Sequence, residues 1–220
     1  MNNHFIKLRK QMIDNQIRPN KVINDDIISA FSKIPREIFV SKSLQELAYI
    51  DEDLQISNGR YIMEAMVMSR LIQSLELKKS DNVLIIGAAT GYSAAIFSQL
   101  VSSVIAIETR SNLVEKAQQN VADLDIGNVA VIKSRLQDGY FTEAPYDIIF
   151  IDGAIQNLPS NLKDQLVEDG KLASVYRPID TNVGEASVWH ISKNSLTRKN
   201  LFSAQVPVLE EFKLKTKFIF

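Results

Sequence analysis

The sequence contains no cysteine among its 220 residues. Disulfides, thiolate metal sites and a cysteine nucleophile are therefore excluded. It also lacks any uninterrupted apolar run of about 18 residues, the length that indicates a membrane-spanning helix. The first twenty residues are polar and mixed in charge, without the apolar core and small-residue cleavage site of a secretory signal. We therefore expect a cytoplasmic protein with no membrane partner.

An excess of charge of one sign is also missing. Lysine and arginine number 25 and aspartate and glutamate 26, which leaves a net charge of −1. Proteins that bind nucleic acid usually carry a basic surplus or a concentrated basic face. The short basic clusters at residues 7–10 and 213–217 are more typical of a solvated surface, so no nucleic-acid partner is expected. His4 and His190 lack metal-ligand spacing, so no metal site is expected either, and the oligomeric state stays open.

The residues that are present fit one globular domain, with 45% hydrophobic and 23% charged residues. Residues 1–62 favour short helices, forming a helical N-terminal extension, and residues 63–220 form an α/β core. Apolar spacing predicts helices over 5–17, from Asn24 or Asp25 to Pro35, and over 63–77.

Buried strands begin at residue 82. Four continuous apolar runs are typical of strands covered on both faces, namely 83–86, 104–107, 129–132 and 148–151. A fifth run at 172–175, with one serine, follows the Asp169-Gly170 turn. Helices alternate with them, most clearly over 111–124 with Ser111 as the expected N-cap. This alternation predicts an α/β fold with a doubly wound, mostly parallel, Rossmann-like sheet. Residues 187–191 and 213–220 are predicted to add an antiparallel C-terminal edge.

A glycine-bounded loop follows the first of these strands and opens a helix. It reads Gly87-Ala88-Ala89-Thr90-Gly91, and Glu108 ends the next strand 21 residues after Gly87. Glycine lets the chain turn sharply while its backbone approaches a ligand closely. A carboxylate at the neighbouring strand end can accept hydrogen bonds from both ribose hydroxyls. The alternative is that both glycines are turn residues with nothing bound, which the position of Glu108 disfavours.

The loop does not match a dinucleotide or nucleotide-triphosphate signature. The three glycine positions of the dinucleotide fingerprint are Gly87, Ala89 and Tyr92, so two of them fail. No Gly-Lys-Ser/Thr follows, which excludes a Walker loop. A ligand with an adenosine but no pyrophosphate suits the remaining glycine pair, and S-adenosylmethionine is the expected cofactor.

Several motifs in order resemble the protein-L-isoaspartate O-methyltransferase family over roughly residues 8–178. The segments that carry the resemblance are 12–18 (MIDNQIR), 35–40 (PREIFV), 48–51 (AYID), 83–95 (VLIIGAATGYSAA), 144–147 (APYD) and 169–172 (DGKL). In this resemblance Gly59 begins the substrate loop.

The resemblance implies a fold, an activity and a site. The implied fold is that of S-adenosylmethionine-dependent methyltransferases. The implied activity is methyl transfer to a carboxylate of a protein or peptide, which serves protein repair. The implied cofactor contacts are Gly87, Ala88, Ala89, Gly91, Tyr92, Glu108, Arg135 and Leu136.

The sequence departs from the family pattern at positions near the chemistry. The family's substrate loop carries a serine or threonine hydroxyl that is thought to hold the substrate carboxylate, and Met63 stands there without a donor. Ile85 replaces an acid in the first strand, and Ala89 replaces the middle glycine. Arg135-Leu136 replaces an Asp-Gly pair, although Asp138-Gly139 nearby restores that pair if the register is shifted.

Other side chains can replace the missing hydroxyl. Arg60 can grip a carboxylate with two hydrogen bonds, and Tyr61 can donate through its phenol. The alternative for Arg60 is a solvated loop residue. Asp152 ends the fourth buried strand and is predicted to bound the substrate pocket. Glu64 either faces the substrate or is explained by the dipole of the helix it begins.

The sequence therefore leaves three functions possible. The first is an S-adenosylmethionine-dependent O-methyltransferase of this family, for which isoaspartyl activity does not follow because of Met63. The second is a non-catalytic member that serves as a cofactor- or protein-binding module. The third is a methyltransferase redirected to another acceptor. A fold alone does not choose among them.

Overall fold

The computed structural model describes residues 3–193 and 195–214. The α-helices are α1 (Asn3–Met12), α2 (Asp25–Lys33), α3 (Ala65–Leu75), α4 (Tyr92–Ser98) and α5 (Ser111–Asp123). The strands are β1 (Leu54–Ser57), β2 (Arg60–Ile62), β3 (Asn82–Ile86), β4 (Ser103–Glu108), β5 (Val129–Lys133), β6 (Tyr146–Ile155), β7 (Leu166–Tyr176), β8 (Gly184–Ser192) and β9 (Ser195–Ala204).

The helix ends follow local chemistry. The Asn24 side chain accepts a hydrogen bond from the amide of Ile27 and so caps α2, as predicted. The helix predicted over 5–17 is α-helical only to Met12 and continues as a π-helix over Ile13–Ile17. The prediction of Ser111 as a side-chain cap was wrong, because Arg110 precedes the first turn of α5 and makes no side-chain cap hydrogen bond.

Strands β3 to β9 form one seven-stranded sheet in the order β5-β4-β3-β6-β7-β8-β9. Pairing is parallel from β5 through β7, and β8 and β9 pair antiparallel beyond it. The chain runs outward from β3 to β5 and then returns to place β6 on the other side of β3. In such sheets the crevice at the carboxyl ends of the strands around this switch point is the usual ligand site.

The two faces of the sheet are covered differently. Buried residues of all five α-helices share one cluster with Val83 and Ile85. Leu84 and Ile86 point to the other face, which is covered by short 3-10 helices, by Trp189 and by Leu209 and Phe212. The segments that follow β5 and β6 form only these 3-10 turns, so the second face is without an α-helix among the described residues. Leu209 and Phe212 therefore form part of the hydrophobic core.

The antiparallel edge differs from the prediction in its position. Strand β8 includes the predicted 187–191, whereas β9 was not predicted and the predicted strand over 213–220 was misplaced at its start. Lys213 and Leu214 are not in a strand, and residues 215–220 lie outside the described residues.

The N-terminal extension packs against the α/β core. The Arg36 side chain is fully buried and donates to the carbonyl oxygens of Ala48 at 2.7 Å and Met63 at 2.9 Å. The hydroxyl of Thr90 donates to the carbonyl oxygen of Phe39 at 2.7 Å. These bonds fix the loop before α3 and the loop before α4 on the same frame. Within the described residues, no helix has the length and apolar character needed to cross a membrane.

Candidate cofactor and acceptor site

The loop at 87–91 lies at the switch point of the sheet. Gly87 and Gly91 have φ values of +84° and +93°, a region that residues with a side chain rarely adopt. The amides of Gly87 and Ala88 both donate to the carbonyl oxygen of Ile107. Ala89 also has a positive φ of 51°, which explains why a glycine is the expected residue there. The backbone thus keeps the geometry of a ligand-binding turn.

Glu108 is fully buried at the end of β4, beside this loop. Its carboxylate accepts hydrogen bonds from the backbone amides of Ala89, Thr109 and Arg110, at 3.3, 2.8 and 3.2 Å. A carboxylate has about four acceptor sites, and these amides engage three of them.

Arg60 occupies the rest of the Glu108 carboxylate. Its Nε lies 2.8 Å from Oε2 and its Nη2 3.1 Å from Oε1, the forked arrangement of a strong ion pair. Nη2 also lies 2.6 Å from Oε1 of Glu211. Burial alone lowers the pKa of Arg60, but its hydrogen bonds to Glu108 and Glu211 outweigh that effect and raise it. The guanidinium is charged, fully buried and directed away from solvent.

Residues 207–212, which we term the C-terminal segment, cover the loop. A Cβ placed on Gly87 would lie 3.2 Å from Cδ1 of Leu209, and one placed on Gly153 would lie 2.6 Å from its Cγ. Leu209 is 4% exposed and packs in the apolar cluster on the face of the sheet to which Leu84 and Ile86 point. Its isobutyl group therefore fills the space over the backbone that a bound cofactor would approach.

The side chains in this cleft do not fit S-adenosylmethionine in this conformation. The Glu108 carboxylate is saturated by protein donors, so it cannot accept from ribose hydroxyls. The space above Gly87 is occupied by Leu209. Both obstacles come from side chains of this protein rather than from the loop backbone.

The other predicted cofactor residues are dispersed. Ala88, Ala89 and Tyr92 are buried, and the Tyr92 ring packs edge-on against Phe39 with centroids 5.3 Å apart. Leu136 is fully buried, with Cδ1 3.6 Å from a Cβ built on Gly87. Arg135 is exposed and pairs with Asp138 at 3.5 Å, away from the loop. The roles of these residues in cofactor binding stay predictions.

A cavity of about 600 Å³ lies beside the cleft. Tyr61 lines it, as do Asp53, Glu64 and Arg177. Met63, Asp152 and Leu209 meet in a smaller adjoining gap of about 10 Å³, which shares Asp53 and Tyr61 with the cavity. Of the four residues predicted on the substrate side, Tyr61, Met63 and Asp152 therefore lie together, whereas Arg60 points to Glu108.

Three carboxyl groups near this cavity hold protons more strongly than usual. Burial raises the pKa of Asp152 to about 7 and that of Asp53 to about 6. Burial, followed by the charge of Asp53, raises the pKa of Glu64 to about 7. The Oδ1 atom of Asp152 is buried and has no hydrogen-bond partner among the residues that the structure describes. A carboxyl group that is protonated near neutral pH can donate a hydrogen bond to an incoming acceptor.

Sequence reasoning missed the residues that close the cleft. Leu209 and Glu211 lie between the two predicted strands at 187–191 and 213–220, in a region for which the sequence predicted no element. Arg60 and Glu211 are 151 residues apart, so no local sequence pattern could predict that they pair. The only signal was an apolar pair, Val208-Leu209, followed by two acids, which is too common to indicate a contact.

Fold and site together define a class of protein. The parallel sheet, the glycine turn after β3 and the buried acid at the end of β4 are the arrangement of a Rossmann-like, S-adenosylmethionine-dependent methyltransferase. The chain belongs to the protein-L-isoaspartate(D-aspartate) O-methyltransferase family, whose model matches residues 7–206. The predicted family, fold class and methyltransferase class are therefore confirmed.

Relatives in other organisms are similar over most of the chain. The protein-L-isoaspartate O-methyltransferase of Methanoculleus marisnigri is 33% identical over 170 residues, which cover 77% of each chain. That of Herpetosiphon aurantiacus is 34% identical over 166 residues, which cover 76% of this chain and 74% of the relative.

Solved structures show the same fold. One protein-L-isoaspartate O-methyltransferase aligns with a TM-score of 0.79 and 25% identity, covering 92% of this chain. This chain spans 64% of that structure's length. A second structure, described as a candidate enzyme of this kind from Plasmodium falciparum in complex with S-adenosyl-L-homocysteine, has a TM-score of 0.75 and 20% identity. The alignment covers 94% of this chain and 98% of the Plasmodium chain.

Proposed function

We propose that this protein is an S-adenosylmethionine-dependent O-methyltransferase that methylates a carboxylate of a protein or peptide. The observation that carries the proposal is the backbone frame of the cleft, with Gly87 and Gly91 at positive φ and Glu108 held at the adjoining strand end. Binding of a cofactor in this cleft would require Arg60 and the C-terminal segment to move away, and a bound S-adenosylmethionine would supply the methyl group.

The acceptor lies in the cavity lined by Tyr61. A carboxylate acceptor is already ionised near neutral pH, so it needs no general base. It needs donors that orient it, because positioning supplies much of the rate in such a displacement. The Tyr61 phenol and protonated Glu64 are donors of this kind on the cavity wall, and protonated Asp152 is a third in the adjoining gap. They donate the hydrogen bonds to the acceptor carboxylate that Met63, which has no donor, cannot donate.

Two assays test this function. Titration calorimetry measures binding of S-adenosylmethionine to the full chain. Transfer of a labelled methyl group to an isoaspartyl peptide, with the matching aspartyl peptide as control, measures activity and specificity. We expect binding, and a labelled ester that forms with the isoaspartyl peptide and is lost in mild base.

Met63→Ser tests the missing hydroxyl. Restoring a donor at this position is expected to raise transfer to the isoaspartyl peptide severalfold, because the acceptor gains a hydrogen bond. Met66→Ser is the matched control, since Met66 lies one turn on in α3 and lines neither the cavity nor the adjoining gap. Equal rates for the wild type and Met63→Ser would show that another residue orients the acceptor.

The second candidate is a non-catalytic member of the family that binds a protein partner. The saturated Glu108 carboxylate favours it, because a permanent Arg60 pair would leave no cofactor site. Absence of cofactor binding in the wild type and in variants that open the cleft would support this candidate and overturn the first. A cytoplasmic location remains a prediction under either candidate.

A further inference from the structure

The C-terminal segment contacts the cleft through backbone hydrogen bonds, an apolar side chain and an ion pair. Its backbone pairs with β6, because the amide of Ala154 donates to the carbonyl oxygen of Pro207 and the amide of Leu209 donates to that of Ala154, both at 3.0 Å. The amide of Gln156 donates to the carbonyl oxygen of Phe212 at 3.2 Å. The segment thus lies along the strand end that bounds the cleft.

The side chains of the segment block the two groups that a cofactor would contact, the backbone at Gly87 and the Glu108 carboxylate. Leu209 covers the backbone at Gly87, where a ligand would approach the loop. Glu211 holds the guanidinium of Arg60 at 2.6 Å, and Arg60 in turn saturates Glu108. The side chain of Gln137 adds a hydrogen bond to the backbone carbonyl oxygen of Glu211. Apolar and acidic parts of the segment therefore act on neighbouring parts of one site.

The charges of this arrangement explain why it is stable when closed. Arg60 is fully buried and lies between two carboxylates, whereas Glu211 keeps 22% of its side chain exposed. Burial raises the pKa of Glu211, but the hydrogen bonds from Arg60, Thr109 and the backbone, together with the charge of Arg60, outweigh burial and lower the pKa. Glu211 therefore stays ionised at neutral pH. Removal of Glu211 leaves Arg60 with one carboxylate partner instead of two.

We infer that residues 207–212 are an intramolecular occupant of the cofactor cleft, so that the C-terminal segment and S-adenosylmethionine bind in mutually exclusive ways. This inference rests on the proposed function, since it requires a cofactor site beneath the segment. The apparent dissociation constant of the cofactor is then its intrinsic value divided by the fraction of molecules with an open cleft. By reciprocity, bound cofactor releases the segment.

The first test compares cofactor affinity in full-length variants by titration calorimetry with S-adenosylmethionine. Leu209→Ala removes most of the side chain over Gly87, and Glu211→Gln removes the charge that holds Arg60. Each is expected to bind at least tenfold more tightly than the wild type. Leu214→Ala, at a 45% exposed leucine beyond the segment, and Glu143→Gln, at an exposed acid elsewhere, are the matched controls and should stay within twofold.

The second test follows the segment itself by hydrogen exchange. Saturating S-adenosylmethionine is expected to speed exchange of the Leu209 amide in the wild type, because its hydrogen bond to Ala154 opens. Exchange in β3, which is at the centre of the sheet, should not become faster. Circular dichroism of every variant at the assay temperature ensures that only folded protein is compared.

The outcomes separate this inference from the proposed function. Equal affinity in the wild type, Leu209→Ala and Glu211→Gln, with unchanged exchange at Leu209, would overturn the inference and leave the proposed function standing. Absence of binding in all three proteins would overturn the proposed function, and the inference with it.

Discussion

At the scale of single residues, the Arg60–Glu108 pair determines the state of the cleft. Two charges removed from water are stabilised only when their geometry is good and their remaining donors and acceptors are satisfied. Both conditions hold here, since the fork is complete and Glu211, Thr109 and backbone groups engage the remaining atoms. Loss of Arg60 would leave Glu108 as an uncompensated buried charge.

Arg60→Met is therefore expected to lower the free energy of unfolding by about 3–5 kcal/mol, as measured by urea denaturation. The double variant Arg60→Met/Glu108→Gln should lose less than the sum of its single variants, because neither charge is then left alone. Arg135→Met, which breaks the exposed pair with Asp138, should cost less than about 1 kcal/mol. A loss at Arg60 as small as that at Arg135 would contradict the burial of the pair.

Asp152 predicts a pH dependence. Its pKa is about 7 in the folded protein and 3.8 as an ordinary value, so between these values the folded state holds a proton that the unfolded state has lost. Its contribution to stability is present at low pH and is lost as the pH rises towards 7. From pH 5 to pH 8, Asp152→Asn should reduce the decline in the free energy of unfolding by about 2 kcal/mol.

The control for this prediction is Asp180→Asn, at an exposed aspartate outside the cavity. It should leave the slope with pH unchanged, while Asp53 and Glu64 continue to contribute in the same direction as Asp152. Parallel stability curves for the wild type and Asp152→Asn would show that Asp152 does not hold the proton.

At the scale of elements, the sequence predicts the strands that are buried on both faces of the sheet. Strands such as β3 and β6 are continuous apolar runs, and their pattern survives because helices or 3-10 turns cover both faces. Strand β9 escaped prediction because most of its side chains are exposed and polar, so only pairing with β8 makes it a strand. The loop at 87–91 was predictable because its glycines are required by the local turn.

The contacts that close the cleft were not predictable in this way. Arg60 and Glu108 are 48 residues apart, and Leu209 meets Gly87 only after the whole sheet has formed. Arg60 was predicted to grip a substrate carboxylate, and the chemistry of that prediction, a fork on a carboxylate, is also the chemistry of its contact with Glu108. The residue type indicated the interaction but not the partner.

The N-cap of α2 gives a prediction for a single element. Asn24→Ala should lower the free energy of unfolding by about 1 kcal/mol, because the amide of Ile27 loses its acceptor. Asn24→Asp retains an acceptor and should cost only a few tenths of that. Denaturation curves of the two variants provide the measurement, and equal losses would argue against a capping role.

At the scale of the whole molecule, a buried polar cluster joins the first helix to the rest. Arg9 of α1 donates to the hydroxyl of Tyr49 at 3.0 Å and to Glu37 at 3.3 Å, and the Tyr49 hydroxyl also donates to Glu37. The side chains of Arg9 and Glu37 are 8% and 11% exposed. The same region supplies Arg36, which supports the backbone at Met63.

Arg9→Met is expected to lower the free energy of unfolding by about 3 kcal/mol, since Glu37 keeps its burial but loses its cation. Lys10→Met changes the next residue of the same helix, where the side chain is 76% exposed and pairs with Asp14. It should cost less than about 1 kcal/mol. Thermal and urea unfolding of both variants measure the difference, and similar losses would mean that α1 is held by its apolar face alone.

The position of the C-terminal segment also has a consequence for the time order of synthesis. Arg60, Gly87 and Glu108 leave the ribosome well before residues 207–212, because synthesis runs from the N-terminus. A nascent chain can therefore form the sheet around β3 and β4 while its cleft has no internal occupant. The newly made molecule then has an early period in which neither Leu209 nor Glu211 is present, so that any solute at the cleft competes only with Arg60.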